Sequence, residues 1–134
     1  MPTKTAAQAR QQAKDQYDAY LATCPSRLLL DRISNKWVTL IITALRGGPL
    51  RYSQLRTTIA GVSEKMLTQT LRSLERDGLI SRTVTPSVPV RVDYALTPLG
   101  VSILEPITIM KEWAEQHMPA VTAARQAHDV REAS

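Results

Sequence analysis

A short helical hairpin, a two-stranded ribbon directly behind it, and a basic middle segment together predict the fold class. It is a mainly α protein with a small antiparallel β wing (α+β), a winged helix-turn-helix carrying additional helices at both ends. The hairpin is the stretch 53–79, SQLRTTIAGVSEKMLTQTLRSLERDGL. In its second half, Met66, Leu67, Thr70, Leu71 and Leu74 recur at the spacing of a buried helical stripe. Glu64, Lys65, Thr68, Gln69, Arg72 and Arg76 fall on the opposite side. Ser63 is placed to cap this helix with Glu64 against its dipole, and Gly78 to end it in a left-handed conformation. The preceding helix is short, with Ser53 as its expected cap, Leu55 and Ile59 inward, Gly61 at the turn and Val62 in the angle between the helices.

An ordinary helical hairpin with a solvated face fits that stretch as well as a DNA-reading one does. The residues behind it separate the two. Runs 79–85 and 90–96 have strand character, alternating with period two most clearly in the second. Pro86-Ser87-Val88-Pro89 between them is too rich in proline to continue either ladder. A ribbon in this position is a wing, and a wing behind a helical hairpin makes a winged helix-turn-helix, whose second helix enters the major groove.

Charge agrees with that assignment. Between Pro25 and Arg91 there are eleven basic residues against four acids, a surplus of seven; with +5 overall, the two ends together carry −2. A basic centre suits a polyanion. The 134 residues suffice for one domain, no apolar run approaches the ~20 residues of a membrane helix, and the N-terminus has no signal-like apolar core. With a single cysteine an intramolecular disulfide is impossible, which together with these features points to the cytoplasm.

The remaining elements follow in order. Residues 5–21, Ala- and Gln-rich, read as a helix whose narrow stripe of Ala6, Ala9, Ala13, Tyr17 and Tyr20 or Leu21 needs a partner to pack on. Cys24-Pro25 opens the first core helix, with Pro25 at its first position and Cys24 at the cap. Leu29, Ile33, Trp37, Leu40, Ile41, Ala44 and Leu45 are expected along one face of a continuous helix ending at Gly47-Gly48-Pro49. Thr97-Pro98 opens another helix through Leu99, Ile103, Ile107, Met110, Trp113 and Ala114, with a kink expected at Pro106. Beyond Met118-Pro119 the last residues are expected to be loosely ordered. The implied organisation is an N-terminal helical arm (1–23), a DNA-binding core (24–97), and a C-terminal dimerisation helix with its tail (98–134).

The expected DNA-contact set is Arg51, Ser53, Arg56, Ser63, Lys65, Thr68, Gln69, Arg72, Ser87 and Arg91. Within it Lys65, Thr68, Gln69 and Arg72 face base edges, and Gln69 can pair in a bidentate way with adenine. Arg51, Arg56 and Arg91 are placed for phosphates. Tyr17, Tyr20 and Leu21 at one end and Ile107, Met110 and Trp113 at the other exceed what one small domain can cover, so a homodimer is expected. Cys24, near Arg27 at a helix start, has the chemistry of a low-pKa thiol, although residue type alone favours a small buried hydrophobe.

Many of these residues also form a known pattern. Cys24-Pro25, Leu30-Asp31, Lys36-Trp37, Gly48-Pro49-Leu50-Arg51-Tyr52, Gly61-Val62-Ser63 and Lys65-Met66-Leu67-Thr68-Gln69 belong to it. So do Leu74-Glu75, Asp77-Gly78-Leu79-Ile80, Arg82, Tyr94, Leu96-Thr97, Leu99-Gly100, Pro106 and Trp113. From Cys24 to about Trp113 the chain resembles the HxlR-type winged-helix transcriptional regulators. The resemblance implies a cytosolic homodimer built by the terminal helices and bound to a palindromic operator in double-stranded DNA. It also implies, for some members, sensing of electrophiles or oxidants through the cysteine matching Cys24. Departures are Asn35 for a usual glycine, Tyr52 for Phe, Asp93 for Glu, and Thr85 and Val90 in the wing where Tyr and a second Pro are common.

Two rival classes compete. An enzyme finds little support, since His117 and His128 stand apart from any carboxylate or cysteine cluster and neither zinc spacing nor a glycine-rich phosphate loop is present; no catalytic residue, metal or cofactor is expected. A winged-helix module used for protein-protein contacts without specific DNA binding would not need the uncompensated charge on helix and wing.

Overall fold

The computed structural model describes residues 3–134. The chain falls into two compact units, one ending at Val38 and the other running from Thr39 to Ser134.

The first unit is helical. Helix α1 (Ala6–Thr23) is capped by Thr5, whose hydroxyl accepts the Gln8 N–H while the Gln8 side chain accepts the Thr5 N–H. That reciprocal pair satisfies two donors a helix start leaves open. No residue of α1 is buried. Helix α2 (Pro25–Ile33) begins as expected, with Cys24 at the cap and Pro25 at the first position. The expected continuous helix is broken: α2 stops at Ser34, and α3 (Lys36–Ala44) starts anew after Asn35. The Asn35 side-chain oxygen accepts the Trp37 N–H at 2.9 Å, so a side chain takes the place of the helical ladder there. The supposed single apolar face dissolves with the break, since Leu29 and Leu40 are both exposed.

In the second unit α3 continues into a 3-10 turn (Leu45–Gly47), a two-residue strand β1 (Leu50–Arg51), helix α4 (Tyr52–Thr58) and helix α5 (Glu64–Arg76). Its core is Ile41, Ile42, Leu45, Leu55, Ile59, Val62, Leu67, Leu71, Leu74, Leu79 and Ile80. Full burial of each Leu or Ile contributes about 1.5–3 kcal/mol. Thr70 joins them because its hydroxyl donates to the Met66 carbonyl at 2.7 Å; Met66 itself is only half-buried.

Contrary to the expectation from the sequence, Ser53 does not cap α4. Arg51 does, and its N–H is accepted by the Gln54 side chain at 2.9 Å, which puts Ser53 inside the first turn. Gly61, at φ +87°, makes the turn to α5, and Ser63 caps it by accepting the Met66 N–H at 3.1 Å. At the far end Leu79 N–H returns to the Leu74 carbonyl and Gly78 N–H to Glu75, both at 3.0 Å, with Gly78 at φ +78°. This Schellman geometry needs a residue without Cβ strain.

Strands β2 (Ile80–Thr85) and β3 (Arg91–Leu96) pair antiparallel from Ile80↔Leu96 to Thr85↔Arg91, and β1 adds to the other edge of β3 through Leu50↔Tyr94. The ribbon therefore supplies two strands of a three-stranded sheet with β3 at its centre, and β1 is an element the sequence did not announce.

Thr97 ties the ribbon back to α5. Its N–H donates to the Leu79 carbonyl (3.1 Å), its hydroxyl donates to the Gly78 carbonyl (2.6 Å), and the same oxygen accepts the Gly100 N–H (3.1 Å). Helix α6 (Pro98–Ser102) is short and ends at Ile103, after which α7 (Leu104–Ala133) runs to the end of the chain. The kink expected at Pro106 is absent from a helix interior, because Pro106 lies in the first turn of α7, where an N–H has no intrahelical partner to lose. Pro119 occupies the interior instead, and the tail expected to be loose is helical to Ala133.

Candidate nucleic-acid interface

The exposed side of α5 and the start of α4 frame a shallow concavity of about 510 Å³, lined by Tyr52, Glu64, Lys65, Thr68, Gln69 and Arg72. Four of these six are the residues expected to face base edges. They lie together because 65, 68, 69 and 72 follow one helical stripe, held outward by burial of Leu67, Leu71 and Leu74 on the other. Lys65, Gln69 and Arg72 are exposed, and Thr68 is half-buried.

Two members, Glu64 and Tyr52, lie outside the expected contact set, and the one that joins the two helices is Tyr52. Its hydroxyl donates to the Glu64 carbonyl at 3.3 Å and lies 3.4 Å from the Thr68 hydroxyl, bridging the start of α4 to the first two turns of α5. The only signal in the sequence is the replacement of a usual Phe by Tyr, and the added hydroxyl makes both contacts.

The expected phosphate contacts are distributed around this groove. Arg51 is exposed at the end of β1. Arg56 pairs with Glu64 at 3.4 Å with both side chains well exposed, an arrangement worth at most about 1 kcal/mol and readily exchanged for a phosphate. In the wing, Arg91 Nε donates to Asp93 Oδ2 at 2.9 Å. Ser53 and Ser63 lie at the starts of α4 and α5; Ser63 is engaged as a cap. Ser87 holds the wing tip, donating to the Pro89 carbonyl at 2.7 Å.

A second hollow, of about 260 Å³, opens between α5 and the sheet and is lined by Thr68, Leu71, Arg72, Glu75, Arg82 and Tyr94. Sequence reasoning did not place Arg82, Glu75 or Tyr94 in any site, because the register that sets Arg82 opposite Tyr94 is a property of the folded sheet.

In the first unit Cys24 is partly exposed, not the buried hydrophobe that residue type favours. Its thiol is held below the ordinary value, first by hydrogen bonding to the backbone of Arg27, then of Ser26, with smaller contributions from the Tyr20 and Ser26 side chains; partial burial opposes them. The Arg27 guanidinium is occupied elsewhere, 4.0 Å from Asp31. Of the expected dimer residues, Tyr17, Tyr20, Met110 and Trp113 are exposed, and Leu21 and Ile107 are half-buried. Among the described residues no helix is long and apolar enough to cross a membrane, and no group of three or more His, Cys, Asp or Glu side chains could hold a metal ion.

Comparison with known proteins gives the same answer from three directions. The model of the HxlR-like helix-turn-helix family matches residues 32–122. The HTH-type transcriptional regulator YtfH of Escherichia coli strain K12 is 47% identical over 102 residues, covering 76% of this chain and 81% of that protein. The solved structure of the transcriptional regulator ytfH from Salmonella typhimurium superposes with a TM-score of 0.69 at 44% identity, over 78% of this chain and 94% of the other. The redox regulator HypR in its reduced form does so with a TM-score of 0.70 at 32% identity, over 74% and 98%.

Proposed function

The chain belongs to the HxlR-like helix-turn-helix family of DNA-binding transcriptional regulators, and we propose that it acts in the cytoplasm as a homodimer on an inverted-repeat operator. The observation that carries this reading is the polar groove of α5, where Lys65, Thr68, Gln69 and Arg72 stand on one exposed stripe backed by a buried leucine face. Inserted in the major groove, Gln69 reads a base, and Lys65, Thr68 and Arg72 flank it. Arg51, Arg56 and Arg91 hold phosphates on either side, with Ser53, Ser63 and Ser87 at the margins of the same surface.

The dimer is assigned to residues 1–23 and 98–134, flanking a DNA-binding core of 24–97. Its support is uncovered apolar surface: Tyr17 is 61% and Trp113 52% exposed in a single chain, and Met110 is similarly open. Two-fold symmetry then requires half-sites about one helical turn, or a multiple of it, apart.

Selection of duplexes from a randomised pool, followed by affinity measurements on the selected site and its single-base variants, tests the assignment. Gln69→Ala is expected to lose about 1–3 kcal/mol on the preferred site and to reorder the variants. An unchanged rank order, or selected sites without two-fold symmetry, refutes it. A module that only contacts proteins would select no sequence at all.

Cys24 is proposed as the sensor of a small electrophile or oxidant. The partly exposed, lowered-pKa thiol supports this, as does a redox regulator among the similar structures. With one cysteine, modification ends in an adduct, a sulfenic acid or a bridge between subunits. Loss of operator binding on diamide or quinone treatment in the native protein, and not in Cys24→Ser, is the expected result. Equal behaviour of the two proteins removes the sensor role.

A further inference from the structure

Tyr52 and Thr68 share more than a groove wall. A threonine inside a helix has a ready acceptor for its one hydroxyl proton, the carbonyl four residues back. Thr43, Thr57, Thr70 and Thr108 each donate there, to Thr39, Ser53, Met66 and Leu104, at 2.7–3.0 Å. For Thr68 that carbonyl belongs to Glu64. One of its lone pairs serves the α5 ladder, and the other accepts the Tyr52 hydroxyl at 3.3 Å. The Thr68 hydroxyl oxygen lies instead 3.4 Å from the Tyr52 oxygen. A phenol has one proton, and Tyr52 gives it to Glu64, so Thr68 donates to Tyr52. Both hydroxyl protons are then directed into the protein. Thr68 is left with accepting lone pairs only, half-buried on the wall of the α5 groove beside Lys65, Gln69 and Arg72.

We infer that Tyr52 is a positioning residue that makes Thr68 an acceptor-only reader of one base in each half-site. Such a reader selects a base with an exocyclic amino group. In the major groove adenine N6 and cytosine N4 present that donor, whereas guanine presents N7 and O6 and thymine presents O4, all acceptors. An acceptor set against an acceptor leaves both unpaired, and the discrimination arises there. The bound base completes a chain from its N–H to Thr68, from Thr68 to Tyr52 and from Tyr52 to the Glu64 carbonyl, in which each bond polarises the next. The HxlR-type pattern usually has Phe where this chain has Tyr52. With Phe the Glu64 carbonyl has a lone pair free, and the Thr68 hydroxyl turns back onto it as the other four threonines do. The oxygen then leaves its place beside residue 52. This positioning role rests on the DNA-reading function proposed above for α5.

Two measurements test it, one of them without DNA. In the full-length protein, three-bond couplings from the Thr68 methyl carbon to its backbone nitrogen and carbonyl carbon report the side-chain rotamer. One dominant rotamer is expected in the native protein and a different one in Tyr52→Phe. The same rotamer in both overturns the inference, whatever the protein does with DNA. The second measurement takes the native protein, Tyr52→Phe, Thr68→Val and the double variant, and determines their affinities for the selected duplex with each of the four bases at every position in turn. Tyr52→Phe and Thr68→Val are each expected to lose about fivefold in discrimination between amino-bearing and keto-bearing bases, the worth of one neutral hydrogen bond. Both losses fall at the same position of the half-site, and the double variant loses no more than either single one. If Tyr52→Phe keeps the native preference at every position, the inference falls and the DNA reading stands. Losses at different positions, or losses that add in the double variant, have the same consequence. A native protein that distinguishes no base at any position defeats the DNA reading and the inference with it.

Discussion

Replacing Gly100 by alanine tests how the wing is joined to the rest of the second unit. Gly100 is buried in α6, and a Cβ built on it runs into the Leu79 carbonyl oxygen, 3.0 Å from the Leu79 carbonyl carbon and 3.2 Å from Leu96 Cδ2. That oxygen cannot simply retreat, because it accepts the Thr97 N–H at 3.1 Å. Relief requires α6 to move off the start of β2, which stretches this bond and the Thr97 bonds to Gly78 and Gly100. Overpacking costs about 1–3 kcal/mol, and a weakened backbone hydrogen bond adds roughly 1 kcal/mol. Against this stands the helix propensity of alanine, worth about 1 kcal/mol over glycine. The balance is a loss of about 1–3 kcal/mol, out of a total that for most domains is ~5–15 kcal/mol. For a chain of this length, at about 3–5 °C per kcal/mol, that lowers Tm by roughly 3–15 °C. Thermal denaturation followed by circular dichroism, with urea titration as a second measure, decides the matter. An unchanged or raised Tm would mean that the propensity gain prevails and that the close approach of α6 to Leu79 is wrong.

Three further outcomes follow from particular contacts. Ser63→Ala, which removes the acceptor of the Met66 N–H, should cost about 1 kcal/mol in urea unfolding, and Ser63→Gly only a few tenths. Asp93→Asn frees Arg91 from its 2.9 Å pair and should tighten duplex binding and steepen its salt dependence, whereas Arg91→Ala flattens the log–log slope by about one; anisotropy titrations across a salt series read both. Because folding lowers the Cys24 pKa, alkylation by iodoacetamide should reach its half-maximal rate at lower pH in the folded chain than in the same chain in denaturant. By linkage the thiolate's contribution to stability is complete above the ordinary thiol pKa and is lost as pH falls through the lowered value. Coincident profiles for folded and denatured protein would refute the lowering.

Local pattern determined much of this protein. The stripe Leu67, Thr70, Leu71 and Leu74 specifies α5 and its buried side, Ser63 and Gly78 specify its two ends, and alternation specifies β3. These features depend on residues within a turn or two of one another, so the chain displays them before it folds. The groove face of Lys65, Thr68, Gln69 and Arg72 follows from the same period.

Tertiary structure decided what depends on competition or register. Apolar spacing runs unbroken from Leu29 to Leu45, yet the helix divides in two where the Asn35 side chain captures the Trp37 N–H. Strand β1 is two residues long, with no period to read, and exists because β3 offers it an edge at Tyr94. Thr97-Pro98 and Pro106 both carry helix-start chemistry, and the turn at Ile103 determines that each starts its own helix. The Arg82–Tyr94 pairing has no local signature either, since eleven residues, a proline turn among them, separate the two. Their meeting opposite Arg72 and Glu75 is set by the strand register, and a one-residue slip would have turned both side chains to the other face.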